Sequence, residues 1–262
     1  MDNLGVLLAF IGGLVGLALV GWFLVNQRRL ARVSEILIEA EEALDRGEVE
    51  RARVLAAPIL AKYPQLAIVQ DVSADVLYAN GDPLSAASLY ERAMKKLGPA
   101  RVAPKLVAAY AALNRAGDAR RVAALAPSDP MTRLALTWSE LAAVGGDRDK
   151  GRALADEIGR DAQLRDTPAG DAMASVLAAI ASARAGQTLR ARESLDRASA
   201  LRKDLAPHDR AFVGYLGGIA LLEMGARADA RETWTMAMDA APDTIGAALA
   251  RRERSHLPEE QD

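Results

Sequence analysis

The chain has 262 residues, of which 51% are hydrophobic and 26% charged, with a formal net charge of −2 and no cysteine. A sequence without cysteine excludes disulfides, thiol catalysis, iron–sulfur clusters and cysteine-bound zinc. Its two histidines, His208 and His256, are too few for a histidine-based metal site, and its near-neutral charge gives no basic face for nucleic acid. We therefore expect no metal, no cofactor and no nucleic-acid partner.

One long apolar segment lies near the N-terminus. Residues 4–25, LGVLLAFIGGLVGLALVGWFLV, carry no charged side chain, and a helix of this length extends about 33 Å, enough to cross a hydrocarbon core of about 30 Å. Asp2 is the only charged side chain before the segment, whereas three arginines follow in the juxtamembrane stretch 26–32. The positive-inside rule predicts a single-pass inner-membrane protein with residues 1–3 outside and the C-terminal domain in the cytoplasm.

Residues 4–25 fit two alternatives to a membrane helix less well. A helix buried in a soluble core would keep a polar stripe, which residues 4–25 lack. A cleaved signal peptide would begin with basic residues, have a shorter apolar core and end in small residues, whereas this segment ends in WFLV. Within it, Gly12 and Gly16 form a small-xxx-small pattern that would let two membrane helices pack as a homodimer, although glycine is also frequent in membrane helices generally.

A motif recurs in residues 33–242. Each unit has a glycine, an alanine five residues later, a bulky residue and a further alanine or isoleucine, and often a proline. Four units follow it closely: Gly47, Ala52, Ala56, Ile59 and Pro64; Gly81, Ala86, Tyr90 and Ala93; Gly186, Ala191, Leu195 and Ala198; and Gly225, Ala230, Trp234, Ala237 and Pro242. The glycine allows a tight turn between two antiparallel helices, because it adopts positive φ at little cost. The alanine lets those helices cross closely.

Two middle units depart from the pattern. The third, with Gly117, Val122 and Ala126, lacks the small residue after its predicted turn, and the fourth begins at Gly146. An insertion at 160–171, containing Thr-Pro-Ala-Gly, predicts an enlarged loop between repeats.

The pattern resembles the tetratricopeptide repeat (TPR) family. The resemblance covers residues 33–242 and implies an α-solenoid of about six helix-turn-helix repeats. Together with the apolar segment 4–25, it predicts an all-α fold, in which an N-terminal transmembrane helix precedes the solenoid. Residues 243–262 are predicted to form a flexible C-terminal tail. The topology is also similar to the lipopolysaccharide assembly protein B family, but that family's cysteine-built metal module has no counterpart here. Chance repetition in an alanine-rich helical protein is the alternative.

The resemblance implies that partners bind in a concave groove lined by the first helix of each repeat. By spacing from the turn glycines, the predicted groove residues are Glu41, Asp71, Asp75, Tyr78, Glu140, Met173, Val176, Ile180, Phe212, Tyr215, Ile219 and Leu222, with Leu37, Val107, Ala111 and Leu136 at equivalent positions. These positions are acidic in the first half and apolar in the second, which favours a protein or peptide partner with basic and hydrophobic residues. The alternative is that several of these side chains are buried between helices.

The sequence presents no pattern of catalytic residues. Asp71 and Asp75 share one helix face, but such pairs are more often solvated or ligand-facing than catalytic. We therefore expect a non-enzymatic scaffold or adaptor at the cytoplasmic face of the membrane. The alternative is a structural subunit of a larger membrane complex in cell-envelope biogenesis.

Overall fold

A computed structural model of the chain describes residues 27, 29–143 and 145–257. These residues form fourteen α-helices and no β-strand, which confirms the all-α prediction. The helices are α1 (29–45), α2 (Val49–Lys62), α3 (Ala67–Ala79), α4 (Pro83–Leu97), α5 (Pro99–Ala112), α6 (Ala116–Ala123), α7 (Pro130–Ala142), α8 (Arg148–Ile158), α9 (Ala162–Arg165), α10 (Pro168–Arg184), α11 (Thr188–Ala200), α12 (Pro207–Glu223), α13 (Arg227–Ala240) and α14 (Ile245–His256), with a 3-10 turn at Arg202–Asp204.

The predicted membrane segment at 4–25, with Gly12 and Gly16, lies outside the described residues, as does the predicted external segment 1–3. In the described part of the chain, no helix combines the length and apolar character that crossing a bilayer requires. Residues 27 and 29–32 of the predicted juxtamembrane stretch are helical and exposed.

Twelve of the helices form six antiparallel hairpins: α1–α2, α3–α4, α5–α6, α7–α8, α10–α11 and α12–α13. In five of these hairpins a residue with positive φ makes the turn, and the alanine five positions later is completely buried. These pairs are Gly47 and Ala52, Gly81 and Ala86, Asn114 and Ala119, Gly186 and Ala191, and Gly225 and Ala230. Because positive φ costs an L-residue about 1–2 kcal/mol, glycine is favoured at these turns.

The structure corrects the predicted turns of the third and fourth hairpins. Gly117 lies inside α6, and Asn114, with φ of 58°, makes the turn in its place. The third unit therefore keeps a small residue after its turn, Ala119. In the fourth hairpin the positive φ belongs to Gly145 and not to Gly146, so this turn is one residue longer.

Capping residues explain where several helices begin. The side chains of Asp82, Asp129 and Thr167 each accept a hydrogen bond from a backbone N–H in the first turn of α4, α7 and α10. Each is followed by a proline, whose missing N–H is not needed at the first helical position. The predicted loop at 160–171 is shorter than expected, because α10 begins at Pro168, and it contains the short helix α9, which Asp161 caps.

The prediction of a flexible tail at 243–262 is wrong for most of its length. Ile245–His256 form α14, in which Ile245, Ala247, Leu249 and Ala250 are buried. This helix packs against both α12 and α13, as the first helix of a further repeat would. Since apolar residues recur at helical spacing on one of its faces, its burial follows from the same pattern that organises the hairpins.

Candidate functional site

The predicted groove residues of α3 take part in an ion network with α5. The buried carboxylate of Asp71 accepts hydrogen bonds of 2.7 Å from Nε of Arg101 and 3.2 Å from Nζ of Lys105. The carboxylate of Asp75 accepts one of 2.6 Å from the same Lys105 and one of 2.7 Å from the hydroxyl of Tyr90. The acidic charges that were predicted to attract a basic partner are therefore paired within the chain.

Burial and charge act in opposite directions on the pKa values of this network. Burial raises the pKa of Asp75, and the neighbouring Lys105 opposes that change without cancelling it. Burial would lower the pKa of Lys105, but its attraction to Asp75 and Asp71 is stronger, so that this pKa is raised. The pKa of Tyr90 is also raised, by burial and then by Asp75. Lys105 and Tyr90 therefore keep their protons at neutral pH, and the network joins α3, α4 and α5.

Three aromatic rings form a buried cluster between α7 and α12. The ring centroid of Trp138 lies 4.8 Å from that of Phe212 and 6.5 Å from that of Tyr215, both in edge-on orientation. Burial raises the pKa of Tyr215 to about 12. Burial also raises the pKa of Tyr78 on α3, and the neighbouring Tyr215 adds to this effect. The predicted groove residues Phe212 and Tyr215 thus belong to the core, which Tyr78 joins from the first half of the chain.

Early and late helices of the array contact each other. Nη1 of Arg252 on α14 donates a hydrogen bond of 3.4 Å to the carbonyl oxygen of Ala112 at the end of α5. A Cβ added to Gly81 in the second hairpin would lie 3.4 Å from the Cβ of Ala248 on α14. A Cβ added to Gly47 in the turn of the first hairpin would likewise lie 3.4 Å from Pro207, the first residue of α12. The described helices therefore close back on themselves instead of forming an open row.

Glu140, another predicted groove residue, has a completely buried side chain. Its carboxylate accepts two hydrogen bonds of 2.7 Å from the guanidinium of Arg120 and one of 2.7 Å from the backbone N–H of Asp147. Burial raises the pKa of Glu140, but these hydrogen bonds outweigh burial, so that the pKa is lowered. Glu140 remains charged and connects α6 to the α7–α8 turn.

The structure divides the predicted groove residues into two groups. The half-buried residues are Glu41, Asp75, Tyr78, Met173 and Leu222. The buried residues are Leu37, Asp71, Val107, Ala111, Leu136, Glu140, Val176, Ile180, Phe212, Tyr215 and Ile219. Only the first group offers side-chain surface to a partner in this conformation, and partner binding at any of them stays a prediction.

Residue spacing carried a signal that the sequence reasoning missed. Asp71 pairs with Arg101 and Lys105, which follow it by 30 and 34 residues, close to one repeat. Arg184 likewise pairs with Glu223, 39 residues later, which is the spacing between the turns of the last two hairpins. Opposite charges one repeat apart would have identified these pairs, because corresponding positions of consecutive repeats lie side by side.

Among the described residues, no cluster of three or more His, Asp or Glu side chains is arranged to hold a metal ion. No protein-family model matches the chain, and the search of curated proteins finds no similar sequence.

Proposed function

We propose that the chain is a membrane-anchored TPR-type scaffold that binds protein partners at the cytoplasmic face of the inner membrane. The observation that carries this proposal is the repeated hairpin, in which a positive-φ turn residue precedes a completely buried alanine by five positions in five of six hairpins. In repeat proteins built from stacked hairpins, partners bind along the surface that the first helices share.

Membrane attachment in this proposal rests on the sequence of residues 4–25, which carries no charge over a length that matches a bilayer. An alkaline carbonate wash of native membranes tests it, because it strips peripheral proteins and leaves spanning ones. We expect the full-length chain to stay with the lipid and a chain lacking residues 1–26 to be released. A C-terminal fusion should be active with a cytoplasmic reporter, and activity with a periplasmic one contradicts the proposed orientation.

The partner surface in this proposal consists of the half-buried residues Glu41, Asp75, Tyr78, Met173 and Leu222. Since Lys105 already neutralises Asp75, apolar contacts at Tyr78, Met173 and Leu222 supply most of the affinity. The partner is accordingly a protein segment with hydrophobic side chains, and its basic residues contribute less than the sequence alone would indicate.

Site-specific photo-crosslinking in native membranes tests this surface. A photoreactive amino acid replaces Tyr78 or Met173 in the full-length chain, and Leu189, which is 76% exposed on α11, serves as the matched control. We expect the same adduct from both test positions and none from Leu189, with mass spectrometry identifying the partner. Adducts at Leu189 alone contradict a partner on the first-helix face.

A second candidate function, a structural subunit of a larger membrane complex, is favoured by one observation. The aromatic side chains predicted to line the groove are buried in the chain's own core, and α14 contacts the second and third hairpins. Gly12→Leu with Gly16→Leu separates the two functions. A scaffold keeps its crosslinked partner in this variant, whereas a subunit held by membrane-helix packing dissociates from its complex.

A further inference from the structure

The insertion between the fourth and fifth hairpins, which contains α9, lies beside a crevice at the junction of α8, α9, α10 and α11. Its lining includes four arginines, Arg160, Arg165, Arg190 and Arg197, and its volume is about 290 Å³. In repeat proteins, insertions tend to lie on the face that binds a ligand. We call this site the arginine crevice.

The charges in the arginine crevice are only partly compensated. Asp156 pairs with Arg190 at 3.3 Å and Asp171 with Arg197 at 2.8 Å. Arg160 and Arg165 form no ion pair with any described residue, although Arg165 donates a hydrogen bond to the carbonyl oxygen of Gly159.

A nearby carboxylate does not supply the missing charge. Asp161 is paired with Arg133 on α7 and caps the start of α9, and it does not line the crevice. Four arginines and two aspartates thus leave an excess of two positive charges among the lining side chains.

The size, charge and polar groups of the crevice together indicate one class of ligand. A phosphate monoester carries about −1.5 to −2 charges at pH 7 and three acceptor oxygens, which matches an excess of two positive charges better than a single carboxylate does. Guanidinium groups bind phosphate through paired N–H donors, and Ser175 and Ser194 add hydroxyl donors to the lining. The volume is just below the range of drug-sized sites, about 300–1,000 Å³, and therefore suits a small headgroup.

We propose that the arginine crevice binds a phosphate monoester, with Arg160 and Arg165 contacting the phosphate oxygens. Ser175, which is 8% exposed, lines the site, and the two Arg–Asp pairs join α11 to α8 and to α10. The negative phosphate neutralises the excess positive charge of the lining side chains.

Isothermal titration of the full-length chain in neutral-lipid nanodiscs tests this site, with O-phosphoserine and inorganic phosphate as probes and serine as the negative control, at constant ionic strength. We expect both phosphorylated probes to bind and serine not to bind. Equal affinity of the two assigns the site to the phosphate group alone, and tighter phosphoserine binding assigns it to a phosphorylated molecule. Affinity should fall as the pH drops from 7.5 to 5.5, because the monoester loses its second charge near pH 6.

Two double variants remove the same charge at different places. Arg160→Ala with Arg165→Ala should weaken phosphoserine binding at least tenfold, whereas Arg152→Ala with Arg192→Ala, exposed arginines on α8 and α11 outside the crevice, should change it less than twofold. Arg160→Lys with Arg165→Lys keeps the charge and loses the planar donors, so an intermediate loss is expected. Equal losses in the two alanine pairs, or no binding of either phosphorylated probe at millimolar concentration, overturn the proposal.

Discussion

The guanidinium of Arg120 on α6 donates two hydrogen bonds of 2.7 Å to the carboxylate of Glu140 on α7. The Glu140 side chain is completely buried. Arg120 also donates to the carbonyl oxygen of Gly145 in the following turn. One ion pair thus connects the third hairpin with both the first helix and the turn of the fourth.

Glu140→Ala should lower the free energy of unfolding by about 3 kcal/mol. This is the lower end of the range for breaking a buried ion pair, because Arg120 retains 35% of its side-chain exposure and can be solvated. Urea unfolding measures the loss, with Glu193→Ala on the exposed face of α11 as the control. A loss no larger than that of the control contradicts a stabilising role for this pair.

The same pair predicts how stability depends on pH. The folded pKa of Glu140 lies below the usual value of 4.5, so its contribution is fully present above pH 4.5 and is lost as the pH falls through the folded pKa. Between pH 6 and pH 3 the wild type should therefore lose more stability than Glu140→Gln, which does not titrate. Parallel pH profiles of the two proteins would show that Glu140 has the same pKa folded and unfolded.

Glycine to alanine substitutions should have opposite effects at Gly186 and Gly117. Gly186 has φ of +72° in a turn with open space around it, whereas Gly117 lies inside α6 with nothing within 4 Å of an added Cβ. Gly186→Ala should cost about 1–2 kcal/mol through backbone strain, and Gly117→Ala should stabilise by up to about 1 kcal/mol through helix propensity. Thermal or urea unfolding distinguishes them, and a destabilising Gly117→Ala would restore the turn predicted at that glycine.

Two adjacent glycines of α12 should differ sharply in their tolerance of alanine. A Cβ on Gly218 would lie 2.1 Å from Nε1 of Trp234, whereas the nearest atom to a Cβ on Gly217 is 3.7 Å away. Trp234 is completely buried and donates a hydrogen bond of 2.9 Å to the carbonyl oxygen of Tyr215, so it cannot move without losing that bond. Gly218→Ala should cost about 3 kcal/mol by overpacking, and Gly217→Ala should be neutral or slightly stabilising. Urea midpoints measure both, and equal midpoints contradict the close approach.

An engineered disulfide tests the contact between the second hairpin and α14. The positions of Gly81 and Ala248 place their Cβ atoms 3.4 Å apart, close to the separation in natural disulfides. Because the natural sequence has no cysteine, a Gly81→Cys and Ala248→Cys pair can form only one intramolecular bond. We expect oxidation to shift its gel mobility, and a Gly98→Cys and Ala248→Cys control not to shift. Gly81 and Gly98 both have positive φ, so the two cysteine pairs carry the same kind of backbone strain. If the first pair stays reduced, the second hairpin and α14 are not in contact in solution.

The sequence by itself determined the helical class and most of the hairpins. A glycine followed five residues later by an alanine indicates a hairpin, because the glycine allows positive φ in the turn and the alanine allows the two helices to cross closely. Each requirement concerns a single position, so the sequence shows it directly. At Asn114 the same requirement is met by a different residue type, and the nearby Gly117 misled the prediction. The resemblance to TPR proteins and the membrane segment stay predictions.

Only the tertiary structure decided which side chains face a partner and which face the core. Spacing from the turn glycine gives Phe212 the same position in its repeat as Met173 has in the one before. It does not reveal that Trp138, on another hairpin, packs against Phe212 and Tyr215. Nor does it reveal that α14 returns to the second and third hairpins. These contacts join residues from different repeats, and their existence depends on the angle at which successive hairpins stack, which no local sequence pattern specifies.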